Sequence, residues 1–598
     1  MIIHVFYACS GEIMLNGKET NYKNIILPLI IFILIGLLLF PSTGRDDSHI
    51  TYWASYSLKE FGHLYNYNGQ RVEQSSSLLQ SVLLALLGRI TGIQINWLGS
   101  IFSILFGLFS IITLYALTVK VEPQAALPSA YLFASYAYFI YWSFSGMETS
   151  LTVFVILNLF LSFGHYIHEN KRSRRNFIWL GISIFCFVSV RPEMPLVLVS
   201  VLFPGIMLVI LCFDSSKGIQ RRIRNRVIEI FCISMAITIA LFVFRLIYFN
   251  KLFPQSVYAK SNGLKLGSIY QGVEYYLLNI LQNLNIVLLF PYSLGLIYVG
   301  VLIIKNFFRS NDNLNFYILF PYVFVFVFSA FAILTGGDWM EGGRFLVPII
   351  PFLIMFVSIS FLKICRRSLF PLLILLVIQA MVTISFASRE STGMPIWKAT
   401  HFYKNFGKNF DSSRYSWFER TNRVHLRDIP TIYYLDHVID DVSLEKGDTL
   451  NIMSHQMGMV SYYISKEHFH EVYMLDMRGL IEDSFVECPV TARLERRNTG
   501  LPIDLEIYFK NQRELSSVCR IPEPDIIFGL DGKEEVLKKN GYIIVYEQKG
   551  TIDSGSWIFP GRERKADQYI AINEKLTVNE SRQEKVIINF SEIKPLDD

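Results

Sequence analysis

The sequence predicts a polytopic α-helical membrane protein that carries a C-terminal α/β domain. Of its 598 residues, 52% are hydrophobic and only 18% charged, with a mean hydropathy of +0.36, above what a water-soluble globular chain carries. Apolar runs of roughly 17–25 residues, long enough to cross a hydrocarbon core, recur about eleven times before residue 390. After SREST (388–392) the chain turns polar and its apolar runs shorten to strand length.

The runs lie near 24–41, 97–119, 125–142, 149–167, 176–190, 192–213, 227–249, 286–306, 315–335, 345–363 and 368–387. The first follows Lys18 and Lys23, ends at Pro41 and lacks a small-x-small cleavage pattern, so it reads as an uncleaved anchor behind a cytoplasmic segment, 1–23. Basic loops fix the orientation. HENKRSRRN (168–176), DSSKGIQRRIRNR (214–226), Lys305, Arg309, Lys363, Arg366 and Arg367 share one parity, and short Lys/Arg-rich loops stay cytoplasmic. The expectation is a transmembrane unit, 24–388, with a first external loop, 42–96, and an external domain, 389–598, in the periplasmic or extracellular space.

Within that domain LNIMS (450–454), EVYMLD (471–476), PDIIFG (524–529) and YIIVYE (542–547) read as strands between helical or loop segments. Cys488 and Cys519 are its only cysteines, either an external disulfide or two buried thiols. A net charge of +5 from 55 basic and 50 acidic residues gives no field that points to nucleic acid, and no CxxC pair suggests a redox or zinc site.

The orientation gathers five polar segments on the outer side. GRDDSHI (44–50) follows the first span and opens a loop containing YNYNGQRVEQSSSLL (65–79), aromatic and amphipathic enough to pack on the membrane surface. A carboxylate at the lipid boundary has a raised pKa, which suits a general base acting on a sugar hydroxyl; Asp-Asp before a helix also serves as an N-cap and first-turn acid. WSFSGMETS (142–150) is a turn whose Glu148 is a site residue or a first-turn acid. RPE (191–193) sets Arg191 and Glu193 between two apolar runs, as a mutual ion pair or facing a polar cavity. RLIYFNKLFPQSVYAKSN (245–262) holds Arg245, Lys251, Lys260, Tyr248 and Tyr258, cations that bind phosphate or snorkel at the interface. LTGGDWMEGGRFLVP (334–348) brings Asp338, Glu341 and Arg344 together among four glycines.

Mid-membrane ionisable residues of the kind ion-coupled transporters use are nearly absent, and no GxSxG, HExxH, Walker or dinucleotide glycine pattern occurs. HFH (468–470) is too short and isolated to suggest a metal.

Taken in order, the Asp-Asp pair, YN-x-x-G-x-x-V-E, SGME, RPE, P-x-x-x-YAK, and GGD with Arg-Phe-Leu-x-P resemble the GT-C superfamily of lipid-linked sugar transferases, nearest the terminal arabinofuranosyltransferase type and its bacterial relatives. The resemblance runs from about residue 44 to 351 and reaches HQMGMVSYY (455–463) and LDMRGLIED (475–483) more weakly. It implies a GT-C-type membrane fold and an inverting enzyme of the bacterial cytoplasmic membrane. Such an enzyme takes a sugar from a polyprenyl-phosphate donor and delivers it to a hydroxyl of an envelope glycan such as arabinan or lipopolysaccharide. By carry-over, Asp46 or Asp47 is the base, with Asp47 favoured. Lys260, Arg191, Arg344 and Tyr258 would meet the donor phosphate, while His49, Glu148, Glu193, Asp338 and Glu341 would line the sugar or acceptor site. No cofactor is required, and a divalent Mg²⁺ or Mn²⁺ on Asp46 and Asp47 stays open. Membrane lipids and the glycan acceptor are the expected partners, and nucleic acid is not.

His49 stands where the family often has an aromatic residue, Gln74-Ser75 replaces a glycine-containing stretch, and Gln255-Ser256 replaces Asn-Thr. These departures leave the donor sugar open. The rival readings are an envelope-glycan polymerase or ligase fed by polyprenyl-diphosphate oligosaccharides, and a non-enzymatic lipid-carrier flippase.

Overall fold

The structure is a computed structural model. It describes residues 22–43, 46–169, 173–212, 218–260, 266–283, 285–309, 315–338, 340, 342–390, 411–446, 449–454, 457–481, 484–493, 505–530, 534–549, 551–554, 562–565, 568–576 and 586–589.

The helical part begins with α1 (Ile26–Leu39), α2 (Ser48–Phe61), α3 (Leu78–Thr91), α4 (Ile95–Val121), α5 (Pro123–Ala134), α6 (Ala137–Ser143), α7 (Thr149–His168) and α8 (Arg174–Val190). It continues with α9 (Met194–Cys212), α10 (Gly218–Phe249), α11 (Gln255–Lys260), α12 (Leu266–Asn283), α13 (Asn285–Arg309), α14 (Phe316–Leu334), α15 (Ile350–Ile364) and α16 (Phe370–Glu390). Among the described residues, seven helical stretches are long and apolar enough to cross a membrane, in α4, α7, α10, α13, α14, α15 and α16. The helix α7 is buried along nearly its whole length and is the centre of the bundle. By contrast α10, α13 and α16 expose Ile247, Phe290, Ile297, Leu373 and Met381, apolar faces suited to lipid.

Three sequence expectations change. The run 125–142 is not one span: it breaks at Ser135–Tyr136 into α5 and α6. The carbonyls freed there are met from α16, where Gln379 donates to Leu132 O and to Ser135 Oγ, and Thr383 Oγ1 donates to Ser135 O at 2.8 Å. The first long loop holds two helices. Of these α3 exposes Val82, Leu86 and Ile90, whereas α2 is buried on most sides. Helix α12 was not expected, because Gln271, Glu274 and Asn279 interrupt its apolar run; it lies along the end of α14, with the Tyr276 hydroxyl 2.9 Å from Ser329 Oγ.

The C-terminal domain follows as α17 (Trp417–Thr421), α18 (Arg423–Lys446), β1 (Leu450–Ser454), α19 (Met459–Glu467), β2 (Val472–Asp476), α20 (Pro489–Arg493), α21 (Leu505–Cys519) and β3 (Ile526–Leu530). After these come α22 (Glu534–Lys539), β4 (Tyr542–Lys549), β5 (Thr551–Ser554), β6 (Arg562–Lys565), β7 (Gln568–Asn573) and β8 (Val586–Asn589). Six strands form one sheet in the order β2-β1-β3-β7-β4-β8, with β1 parallel to β2 and β3, β7 antiparallel to β3 and β4, and β8 parallel to β4. Strand alternation sorts the two faces. Met453, Leu475, Ile527 and Ala571 pack under α20 and α21, where Cys488 and Cys519 form a disulfide. Ile452, Met474, Ile526 and Ile570 face the other way and join the apolar core that continues into the helical part.

Candidate functional site

The acidic pair sits in the turn that enters α2. Asp46 O accepts the His49 N–H at 3.1 Å and Asp47 O accepts the Ile50 N–H at 3.3 Å, so both residues ride on the first turn of that helix. The Asp47 side chain does not cap α2, and both carboxylates are half-buried. Asp46 reaches the C-terminal domain: its Oδ1 accepts the Met459 N–H at 2.5 Å, the start of α19. Gly458 is required there, because a Cβ would lie 2.1 Å from Asp46 Oδ1. Burial, then the nearby Asp428 carboxylate, push the Asp46 pKa up to about 6, against the opposing pull of the Met459 N–H.

One residue further on, His49 is fully buried and turns toward Glu419 of α17, with Nε2 2.7 Å from Oε1. Its ring is therefore engaged inside the protein, where the sequence had placed it at the sugar or acceptor. Glu419 takes three further donors: Asn96 Nδ2 at 2.9 Å, the Ser416 N–H at 2.5 Å and the Tyr463 hydroxyl at 3.1 Å. Burial by itself would raise its pKa; the His49 hydrogen bond and charge, with His425 and Asn96, reverse that and hold it near 2.

A second cluster forms where the SGME, RPE and GGD segments meet. Arg191 Nη1 lies 2.5 Å from Glu148 Oε1 and its Nε lies 2.5 Å from Glu193 Oε1, all three side chains being buried. Arg344 Nε lies 2.8 Å from Asp338 Oδ2. Both guanidinium groups lie by the Phe345 ring, their centres 5.0 Å (Arg191) and 5.6 Å (Arg344) from its centroid. Three carboxylates against two guanidinium groups leave one negative charge in this set. The turn 142–148 ties it to α2: Tyr52 OH donates to Gly146 O at 3.3 Å, Trp142 Nε1 donates to Gly342 O at 2.9 Å, and Arg344 Nη1 lies 3.8 Å from Met147 Sδ. Gly146 has φ +75°, and a Cβ on it would meet the Tyr52 hydroxyl at 2.1 Å.

The expected phosphate-binding residues are not all brought together. Arg191 and Arg344 share the second cluster, whereas Tyr258 lies edge-on to Phe253 at 6.4 Å between ring centroids, with the Lys251 ammonium 5.3 Å from its ring. Lys260 closes α11 on the backbone; its side chain, and all of Glu341, lie outside the described residues. Sequence reasoning missed Glu419, Asp428 and the Arg245–Glu73 pair, 2.9 Å apart and buried. It also missed what the YNYNG stretch does. Asn68 exchanges two hydrogen bonds with Met474 on the edge strand β2 (2.7 and 3.0 Å), Asn66 Nδ2 donates to Ile481 O at 2.9 Å, and Tyr67 OH donates to Gly458 O at 3.3 Å. That motif docks the C-terminal domain. Among the described residues no group of three or more His, Cys, Asp or Glu side chains is arranged to hold a metal ion.

No family model matches the sequence, and no curated protein matches it. Solved structures do. The oligosaccharyltransferase of Archaeoglobus fulgidus, crystallised with Zn and sulfate, is 13% identical with a TM-score of 0.50 over 90% of this chain and 72% of its own. ArnT from Cupriavidus metallidurans in the apo state is 11% identical with a TM-score of 0.50 over 93% of this chain and 98% of its own. The mycobacterial arabinofuranosyltransferase AftD, at 10% identity and a TM-score of 0.45 over 93% of this chain and 42% of its own, falls below the level that argues a shared fold. At such identities the likeness speaks for architecture alone: the chain shares the fold of the first two of these solved membrane proteins.

Proposed function

We propose that this chain is an inverting glycosyltransferase that moves a sugar from a polyprenyl-monophosphate carrier to a hydroxyl of an envelope glycan, at the outer face of a bacterial cytoplasmic membrane. The observation that carries the reading is the acidic turn 46–47, held between α2 and α19 and tied through the turn 142–148 to the Arg191 and Arg344 cluster. Asp46 Oδ1 accepts the Met459 N–H, which supports Asp47 as the base. Asp47 takes the acceptor's hydroxyl proton, the acceptor oxygen forms a bond to the anomeric carbon, and the bond from that carbon to the phosphate oxygen breaks. Polyprenyl phosphate leaves with the electron pair. Guanidinium groups stabilise the charge that grows on it, the part given to Arg191 and Arg344; Lys260 and Tyr258 keep the phosphate role that the resemblance implies. Glu148, Glu193 and Asp338 orient the guanidinium groups and are candidates for sugar contacts. No step is routed through a metal.

Wild type, Asp46→Asn and Asp47→Asn are each incubated with labelled polyprenyl-monophosphate sugars and an envelope-glycan extract. Transfer by wild type and a loss of roughly 10²–10⁴-fold in folded Asp47→Asn are expected. Two guanidinium groups beside one ring also suit a diphosphate carrier. Consumption of polyprenyl-diphosphate oligosaccharide, with no monophosphate donor used, moves the polymerase or ligase reading ahead.

A further inference from the structure

The hydrogen bonds around the acidic turn close into a ring. Asp46 is bonded to the Met459 N–H at the start of α19; Tyr463, one turn along the same helix, bears on Glu419; Glu419 holds His49; and the His49 N–H returns to Asp46 O. Every side chain closing the ring on the Glu419 side is buried, and donors to that carboxylate come from α2, from the start of α4 and from the C-terminal domain. A carboxylate in a dry site is tolerated only when such donors surround it, so its geometry is over-determined. His49, Asp46 and Asp47 share one helical turn. A shift of the imidazole therefore moves the acids with it.

We propose that Glu419 is a positioning residue for the acidic pair: the C-terminal domain reaches across to His49 and sets the direction in which Asp47 faces the acceptor. This rests on the transferase reading for its consequence in turnover, though not for its geometry. The His49 that replaces an aromatic residue is then half of a matched pair, and its partner lies 370 residues away.

The test compares the full-length wild type with Glu419→Ala, Glu419→Gln and Tyr463→Phe in detergent. Two readouts are taken: hydrogen exchange of the 46–57 amides, and transfer from labelled polyprenyl-monophosphate sugars. Glu419→Ala is expected to speed exchange in 46–57 by tenfold or more and to lower kcat by roughly 10²-fold with the donor KM unchanged, the scale of loss that a misplaced reacting group produces. Glu419→Gln, which keeps the shape and lets neutral His49 accept from its amide, recovers most of both. In an Asp47→Asn background Glu419→Ala costs nothing more, because the group it positions is gone. If Glu419→Ala does not fold, Tyr463→Phe supplies the same comparison with a smaller loss. Unchanged kcat, a raised KM at constant kcat, or a loss fully additive with Asp47→Asn overturns the proposal. Should wild type transfer no sugar from any donor, the transferase reading fails, and exchange alone decides the link: faster exchange in 46–57 upholds it and unchanged exchange overturns it.

Discussion

Asp46 shows how one carboxylate serves two parts of the chain. With its pKa pushed up from 3.8 to about 6, the folded protein favours the protonated form, so the stability that this shift contributes is full below about pH 4 and fades as pH rises through about 6. Accepting the Met459 N–H as a carboxylate belongs to the upper side of that range. That charge-assisted bond is stronger than the one to a neutral carboxyl, so transfer is expected to rise with pH through about 6, and Asp46→Asn, which accepts only as a neutral group, should remove that limb and hold transfer near its low-pH level. Gly458→Ala places a methyl group on Asp46 Oδ1 and should lower turnover with little change in donor binding, read from initial rates at varied donor. Arg191→Leu leaves Glu148 and Glu193 buried without a counter-charge and is expected to cost about 3–5 kcal/mol, read as a fall in the thermal midpoint. At this scale the sequence was legible where residues sit in one short motif: Asp46, Asp47, Glu148, Arg191, Glu193, Asp338 and Arg344 all belong to segments that stand out by charge beside apolar runs. Glu419 does not. Ser416-Trp417-Phe418-Glu419 is the spacing of a capping box, a duty Glu419 does perform, and that pattern conceals its bond to His49.

Elements followed the same division. Four strands were visible as apolar runs between polar segments, and β1 to β4 occupy them; β7, QYIAIN, lies in a polar stretch and was passed over although it is the central partner of β3 and β4. The break between α5 and α6 carries no proline or glycine at Ser135–Tyr136 and is paid for by a distant side chain, Gln379, so nothing local announces it. Gln379→Leu removes the amide donor from Leu132 O and the acceptor of the buried Tyr292 hydroxyl, and should lower stability by about 1–3 kcal/mol, measured by thermal unfolding in detergent. The disulfide closes a separation of 31 residues between the start of α20 and the end of α21. Replacing both cysteines by serine is expected to cost about 2–4 kcal/mol, with no change in the pH profile of transfer.

Across the whole molecule the division into a membrane unit and a soluble domain, clear in the composition, describes the chain better than the packing. A single apolar core runs from Phe32 of α1 to Ile572 of β7, and the polar motifs of the first long loop are largely spent on joining the two parts. Fluorescence and circular dichroism should accordingly report one coincident unfolding transition, and two separated transitions would show the halves to be independent. The GT-C likeness read from ordered motifs is in keeping with the fold shared with two solved membrane glycosyltransferases at a TM-score of 0.50. The joining has a temporal side as well. His49 leaves the ribosome 370 residues ahead of Glu419, a gap on the order of tens of seconds at elongation rates of about 5–20 residues per second. During biogenesis the acidic turn waits unbraced by Glu419 until the last third of the chain has been translated and folded down onto it.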